Sequence, residues 1–260
     1  MKMYQIDAFT TEVFRGNPAA VVPLDQWLPD TQMQAIASEN NLAETAFFVP
    51  NGSGYRLRWF TPTQEVPLCG HATLASAFVL FTEISPTKNA VTFETQSGPL
   101  TVTRQRDLLT MDFPRHEMVP AKAPPALLSG LSLPPREVYT TPANPNYYAV
   151  YDTEADILSL APDFPKLAAL DSLGVVVTAP GTTADFVSRY FAPGLGIPED
   201  PVTGSIHCAL TPYWAARLGK ADLHATQVSQ RGGELFCKDG PDRVLISGHA
   251  VKYLEGQLFL

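Results

Sequence analysis

The chain repeats itself in sequence, and that limits its fold more than any other feature. Gly16-Asn17-Pro18 precedes an apolar run at 19–22, and Ala143-Asn144-Pro145 precedes another at 146–150. Arg58-Trp-Phe-Thr-Pro62 returns as Arg189-Tyr-Phe-Ala-Pro193, Gly70-His71 as Gly204-Ser205, and Thr95-Gln-Ser-Gly-Pro-Leu100 as Gln230-Arg-Gly-Gly-Glu-Leu235. The four matches keep their order while the offset drifts only from 127 (17 to 144) to 135 (98 to 233). Two copies of one unit account for that, each long enough to bury its own core.

Within each copy, short runs rich in Val, Phe, Tyr and Thr alternate with Gly, Pro and Asn turns, the pattern of strands. Strands are predicted near 3–9, 18–23, 44–49, 54–60, 90–96 and 98–104, then near 146–151, 173–178, 185–191, 225–231 and 243–248. A helix with a polar face fits 30–40, with Asp30 as its cap. The runs 71–83 and 205–218 are apolar almost all round, and a helix without a polar face must be buried on all sides. Pro212 should kink or break the second of these. The fold class expected is α+β, a curved antiparallel sheet around one central helix in each copy. Residues 1–118 make the first lobe, with 250–260 returning to it, and 119–249 the second. The proline-rich segment 119–135 reads as the linker.

Composition removes several functions. Of the 260 residues 45% are hydrophobic and 17% charged, and the net charge is −8 with no basic cluster. That argues against nucleic acid and anionic membranes as partners. The N-terminus enters a strand pattern with no signal-peptide character, and no apolar run reaches 18 residues, so no membrane span is expected. The three cysteines, Cys69, Cys208 and Cys237, lack metal or disulfide spacing, and with no P-loop, HExxH or GxGxxG no metal and no cofactor are expected. A reducing cytoplasm is the simpler setting.

Chemistry gathers at the two repeated helix starts. Cys69-Gly70-His71 opens the first buried helix, and Asp200-Pro-Val-Thr203-Gly204-Ser205 opens the second. A helix start presents free N–H groups and the positive end of its dipole, so it holds an anion without a lysine. Asp200 and Ser205 suit capping as well as binding. If the copies pack about a pseudo-twofold axis, both starts face one cleft and grip a small carboxylate. His71, Asp200, Thr203 and Ser205, with Cys69 adjoining, suit proton transfer at a carbon near that carboxylate. Glu44, between a helix end and an apolar strand, is expected to be partly desolvated, a condition that suits a general base. The structural alternatives are that Cys69, His207 and Cys208 only pack, and that Arg58 and Arg189 only hold strand ends.

Leu42-Ala-Glu-Thr-Ala46, Cys69-Gly-His-Ala-Thr-Leu-Ala75 and Glu199-Asp-Pro-Val-Thr-Gly-Ser-Ile-His-Cys-Ala209 resemble the signature segments of the PhzF (phenazine biosynthesis-like) family. The likeness runs from Asp7-Ala-Phe9 to Gln230-Arg-Gly-Gly233. It implies a duplicated two-lobe, diaminopimelate-epimerase-like fold, each lobe a barrel-like antiparallel sheet around a central helix. It also implies a homodimer, and cofactor-free isomerisation of a dihydro-hydroxyanthranilate-like substrate. By the same resemblance Glu44 is the general acid/base, while His71, Asp200 and Ser205 polarise substrate and assist the proton. Cys69, Gly70, Ala72, Thr203 and Gly204 line the substrate. The wider superfamily includes racemases with a cysteine before each helix-start glycine. Here the second position is Thr203, whose hydroxyl is too weak an acid for a two-thiol mechanism. A racemase or epimerase of a small amino or hydroxy acid and a non-catalytic ligand-binding protein are the alternatives.

Overall fold

The computed structural model describes residues 1–142 and 145–260, which separate into two units, Met1–Phe113 with Leu245–Leu260, and Pro114–Val244. Asn144, matched to Asn17 in the repeat, lies outside the described residues.

The first unit is built from β1 (Lys2–Ala8), β2 (Asn17–Pro23), α1 (Asp30–Asn40), β3 (Glu44–Asn51), β4 (Gly54–Phe60), β5 (Glu65–Val66), α2 (Gly70–Val79), β6 (Ala90–Thr95), β7 (Gly98–Gln105) and β8 (Leu108–Pro114). The C-terminal strand Ala250–Gln257 pairs antiparallel with β1, Gln257 opposite Lys2. Every residue of α2 from His71 to Val79 except Phe78 is buried. Its hydroxyls are satisfied internally: Thr73 Oγ1 donates to the Cys69 carbonyl at 2.6 Å and Ser76 Oγ to Ala72 at 2.7 Å. The helix predicted over 71–83 changes character before its end. Leu80–Ile84 is a wider π-turn, closed by Ser85 N–H on the Leu80 carbonyl.

The second unit contains β9 (Val119–Pro120), α3 (Pro125–Gly130), β10 (Glu137–Thr140), β11 (Tyr147–Val150), α4 (Glu154–Ser159), α5 (Phe164–Ala168), β12 (Val175–Pro180), β13 (Phe186–Ala192), β14 (Ile197–Asp200), α6 (Gly204–Leu218), β15 (Asp222–Gln227) and β16 (Gly233–Asp239). The segment 119–135 is no free linker. β9 pairs with β10, and Leu127 and Leu131 enter the core beside Ile157, Val177 and Phe191.

Strand pairing in both units is mixed, where an antiparallel sheet was expected. β2–β3, β4–β6, β11–β12 and β13–β15 are parallel pairs. Each parallel pair is joined through a segment containing a helix, and a crossover returns the chain to the end it left, whereas a hairpin reverses it. The alternation of apolar residues carries no strand direction; the strand–helix–strand order over 18–49 is the signal that does.

Three local expectations also change. Asp30 is the first residue of α1, not its cap, and it ion-pairs with Arg58 at 2.8 Å. α6 runs unbroken through Pro212. The ring removes the N–H that would reach the Cys208 carbonyl, and His116 N–H takes that acceptor at 3.0 Å. The N-cap residues are Cys69 for α2 and Thr203 for α6, and neither side chain makes a capping hydrogen bond. Among the described residues no helix is long and apolar enough to cross a membrane.

Candidate active site

In the first unit the parallel register sets Glu44 opposite Ala19, so the starts of β2 and β3 lie side by side. The chain reaches Glu44 through Asn41, which ends α1 in the left-handed conformation at φ 49°, a conformation that asparagine tolerates. On β2, Asn17 follows Gly16, whose φ is +64°; a Cβ there would lie 2.1 Å from the Ala8 carbonyl oxygen, so only glycine fits. α2 packs against β2, and its first turn carries His71 to both strand starts.

The result is a buried cluster. His71 Nε2 lies 3.1 Å from Glu44 Oε2, with the Glu44 side chain 12% exposed. His71 Nδ1 lies 3.2 Å from Asn17 Nδ2 and 3.5 Å from Cys69 Sγ. When the ring is neutral, Asn17 donates to an unprotonated Nδ1 and the ring proton sits on Nε2, facing the carboxylate. In the imidazolium Nδ1 is protonated too, and Asn17 must offer its Oδ1 instead. Burial disfavours the His71 imidazolium, yet Cys69 and Glu44 beside it outweigh burial and hold its pKa above the ordinary 6.5. The Cys69 thiol is pushed up to about 11, first by burial and then by Glu44, so it carries its proton at neutral pH. Gly70 and His71 add N–H groups that no side chain caps.

In the second unit the turn before α6 is held from within. Thr203 Oγ1 donates to Asp200 Oδ2 at 2.5 Å, and Thr203 N–H to Gln227 Oε1 at 2.8 Å. Gln227 Nε2 donates in turn to the Asp200 carbonyl at 2.8 Å. Ser229 Oγ donates to the Pro201 carbonyl at 2.8 Å. Gly204 and Ser205 begin the helix, Ser205 partly exposed. His207 lies deeper. Its Nδ1 meets the Thr203 carbonyl at 2.8 Å, and burial lowers its pKa to about 4, so it is neutral and donates from Nδ1.

Of the residues singled out from sequence, Glu44, Cys69 and His71 thus meet in one cluster and Asp200 and Thr203 in another. Gly70 and Gly204 are the first helical residues, and Ala72 is fully buried within the first turn of α2. Two residues were missed. Asn17 stood out only as a turn signal, and fully buried Gln227 gave no local sign because its partners lie 24 and 27 residues away. The Gly-Asn-Pro repeat ahead of an apolar strand could have marked Asn17.

Arg58 and Arg189 hold the same place in the two units. Arg58 grips both oxygens of Glu65 at 2.7 and 2.6 Å, and Arg189 grips Glu199 at 2.8 and 2.9 Å. Each guanidinium also lies over a phenylalanine, Phe60 or Phe191, at 5.2 and 4.9 Å.

The model of the phenazine biosynthesis-like protein family, PhzC-PhzF, matches residues 6–256. A protein of Pseudomonas aeruginosa named an uncharacterized isomerase is 50% identical over 260 residues, covering 100% of this chain and 99% of that one. The crystal structure of a PhzF-family phenazine biosynthesis protein from Enterococcus faecalis superposes with a TM-score of 0.96 at 47% identity, covering 100% of this chain and 99% of that one. A probable proline racemase from Agrobacterium radiobacter K84 shares the fold alone, with a TM-score of 0.60 at 12% identity over 100% of this chain and 93% of that one. With the family model spanning nearly the whole length and close relatives named as isomerases, the chain belongs to the phenazine biosynthesis-like family of isomerases.

Proposed function

We propose that this protein moves a proton between carbons of a small carboxylate-bearing substrate, using Glu44 as general acid and base. The observation that carries the reading is the approach of the Glu44 carboxylate to His71 Nε2 at 3.1 Å in a buried cluster beside a helix start whose N-cap side chain makes no capping bond. A carboxylate so placed takes a proton from one carbon and can return it to another, and His71 beside it balances the charge it gains or loses. The free N–H groups of Gly70 and His71 suit an anionic substrate group. The family resemblance adds Asp200 and Ser205 as groups that polarise the substrate, which is cyclic and dihydro-hydroxyanthranilate-like by the same likeness. A two-thiol racemase is disfavoured by Cys69 with its raised pKa and by Thr203, whose hydroxyl is committed to Asp200.

The test is solvent-deuterium incorporation into a panel of cyclic and acyclic carboxylic acids, followed by NMR together with product formation. Wild type should label or convert at least one compound, and Glu44→Gln should lower that rate by about 10²-fold or more. Conversion that persists undiminished in Glu44→Gln removes Glu44 from the role.

A further inference from the structure

The sequence holds no metal-binding spacing, but the fold assembles what spacing cannot show. Glu44 on β3 joins Cys69 and His71 at the start of α2, and one carboxylate oxygen, the thiol sulfur and one imidazole nitrogen all lie within 4.8 Å of one another. Cys69 and His71 are 6% and 5% exposed. A second feature points to a ligand. Glu44 Oε2 and His71 Nε2, although 3.1 Å apart, are out of line for a hydrogen bond, and each is buried without another hydrogen-bond partner. Both atoms can donate a lone pair to a cation, the imidazole once its nitrogen has lost its proton.

From this geometry we infer that Glu44, Cys69 and His71 form a three-ligand site for a thiophilic divalent cation of the Zn²⁺ class. Thiolate, imidazole and carboxylate together favour Zn²⁺ over Mg²⁺ or Ca²⁺, which take oxygen ligands only. In a tetrahedral site with bonds of about 2.0–2.3 Å the donors stand roughly 3.3–3.7 Å apart, so the widest pair closes by on the order of 1 Å while Glu44 and His71, at 3.1 Å, part slightly. As the cation binds, Cys69 releases its thiol proton to solvent. The Nε2 proton of a neutral His71 shifts to Nδ1, toward which Asn17 turns its Oδ1, or an imidazolium loses its Nε2 proton to solvent, and the fourth position stays open to water. Occupancy ties up the carboxylate and imidazole that move and balance the proton, so the cation acts as a reversible inhibitor. That consequence alone rests on the proposed function; the binding does not.

The test uses the full chain, stripped with a chelator and titrated with Co²⁺ as a coloured stand-in for Zn²⁺. Wild type should develop a near-ultraviolet thiolate-to-cobalt band that saturates at one equivalent and is abolished by Zn²⁺. Cys69→Ser should abolish the band although Cys208 and Cys237 remain, and Glu44→Gln should weaken binding at least tenfold, both judged on variants that keep the wild-type melting transition. X-ray absorption of Zn²⁺-loaded wild type needs no variant and should read one sulfur, the rest nitrogen and oxygen. Absence of the band, its survival in Cys69→Ser, unchanged affinity in Glu44→Gln, or a shell with no sulfur or two each overturns the site. Because every readout is spectroscopic, the site stands or falls separately from the isomerase reading.

Discussion

Two buried histidines near helix starts show how neighbours decide charge. His71 faces a carboxylate and has its pKa raised, while His207 faces the Thr203 carbonyl and the Phe186 ring and has it lowered to about 4. Residue type and burial are alike, but His71 is second in α2 and His207 fourth in α6, and each meets a different partner. The His207 case gives a direct prediction. The unfolded chain takes up a proton near pH 6.5, while the folded chain resists until about pH 4. Stability from neutral His207 is therefore complete above pH 6.5 and is lost progressively as the pH falls toward 4. Urea unfolding at pH 7 and pH 4.5 should show wild type losing about 2 kcal/mol more than His207→Gln over that interval. Equal losses in the two proteins would mean that His207 does not titrate out of step with the unfolded chain.

At the scale of elements, the Arg58–Glu65 and Arg189–Glu199 pairs explain how each helix start is placed. Glu65 stands four residues ahead of Cys69, and Glu199 four ahead of Thr203, so each guanidinium fixes the chain just before it turns into the buried helix. Arg189 also donates to the Ile157 and Leu160 carbonyls at the end of α4, tying a third segment to the same point. Glu199→Gln should cost about 2–3 kcal/mol in urea unfolding, because it leaves a mostly buried guanidinium without its paired acceptor. Asp152→Asn, at the exposed pair with Arg136, should cost well under about 1 kcal/mol. Similar costs in both would reduce the repeated pair to a surface ornament. The sequence showed these arginines through duplication, and it showed most strands, α1 and both central helices through periodicity. Short segments of recognisable composition singled out Glu44, His71, Asp200 and Ser205; the structure brings Glu44 and His71 together and sets Asp200 against Thr203. Asn17 and Gln227 act across distance in the chain, as does His116 on the Cys208 carbonyl, and no local pattern reports such partners. The short strands and helices β5, β9, β10, β14, α3, α4 and α5 were too brief to establish a period, whereas β8 and β16 were missed although each alternates in burial over seven residues.

At the scale of the whole chain, the two units differ in how they are threaded. The unit Pro114–Val244 is continuous, whereas the other needs Leu245–Leu260 to complete it. That return strand covers the edge of β1, and the chain ends meet: Leu258 N–H donates to the Met1 carbonyl at 2.8 Å, and the Met1 amine to the Leu258 carbonyl at 2.9 Å. Antiparallel pairing with the ends adjacent is the geometry of a hairpin that lacks only its turn. A permuted fragment that begins at 245, runs to 260, passes through a short Gly/Asn linker to residue 1 and ends at 113 should therefore fold. Residues 1–113 alone keep β1 as an unpaired edge and lose the contacts of the return strand, so they should unfold at much lower urea or aggregate. The continuous fragment 114–244, which has its own core of Leu127, Ile157, Val177 and Phe191, should fold without any rearrangement. Dispersed amide spectra and cooperative melting of all three fragments decide the matter. If 1–113 proves as stable as the permuted fragment, the return strand is an addition to a finished unit rather than part of it.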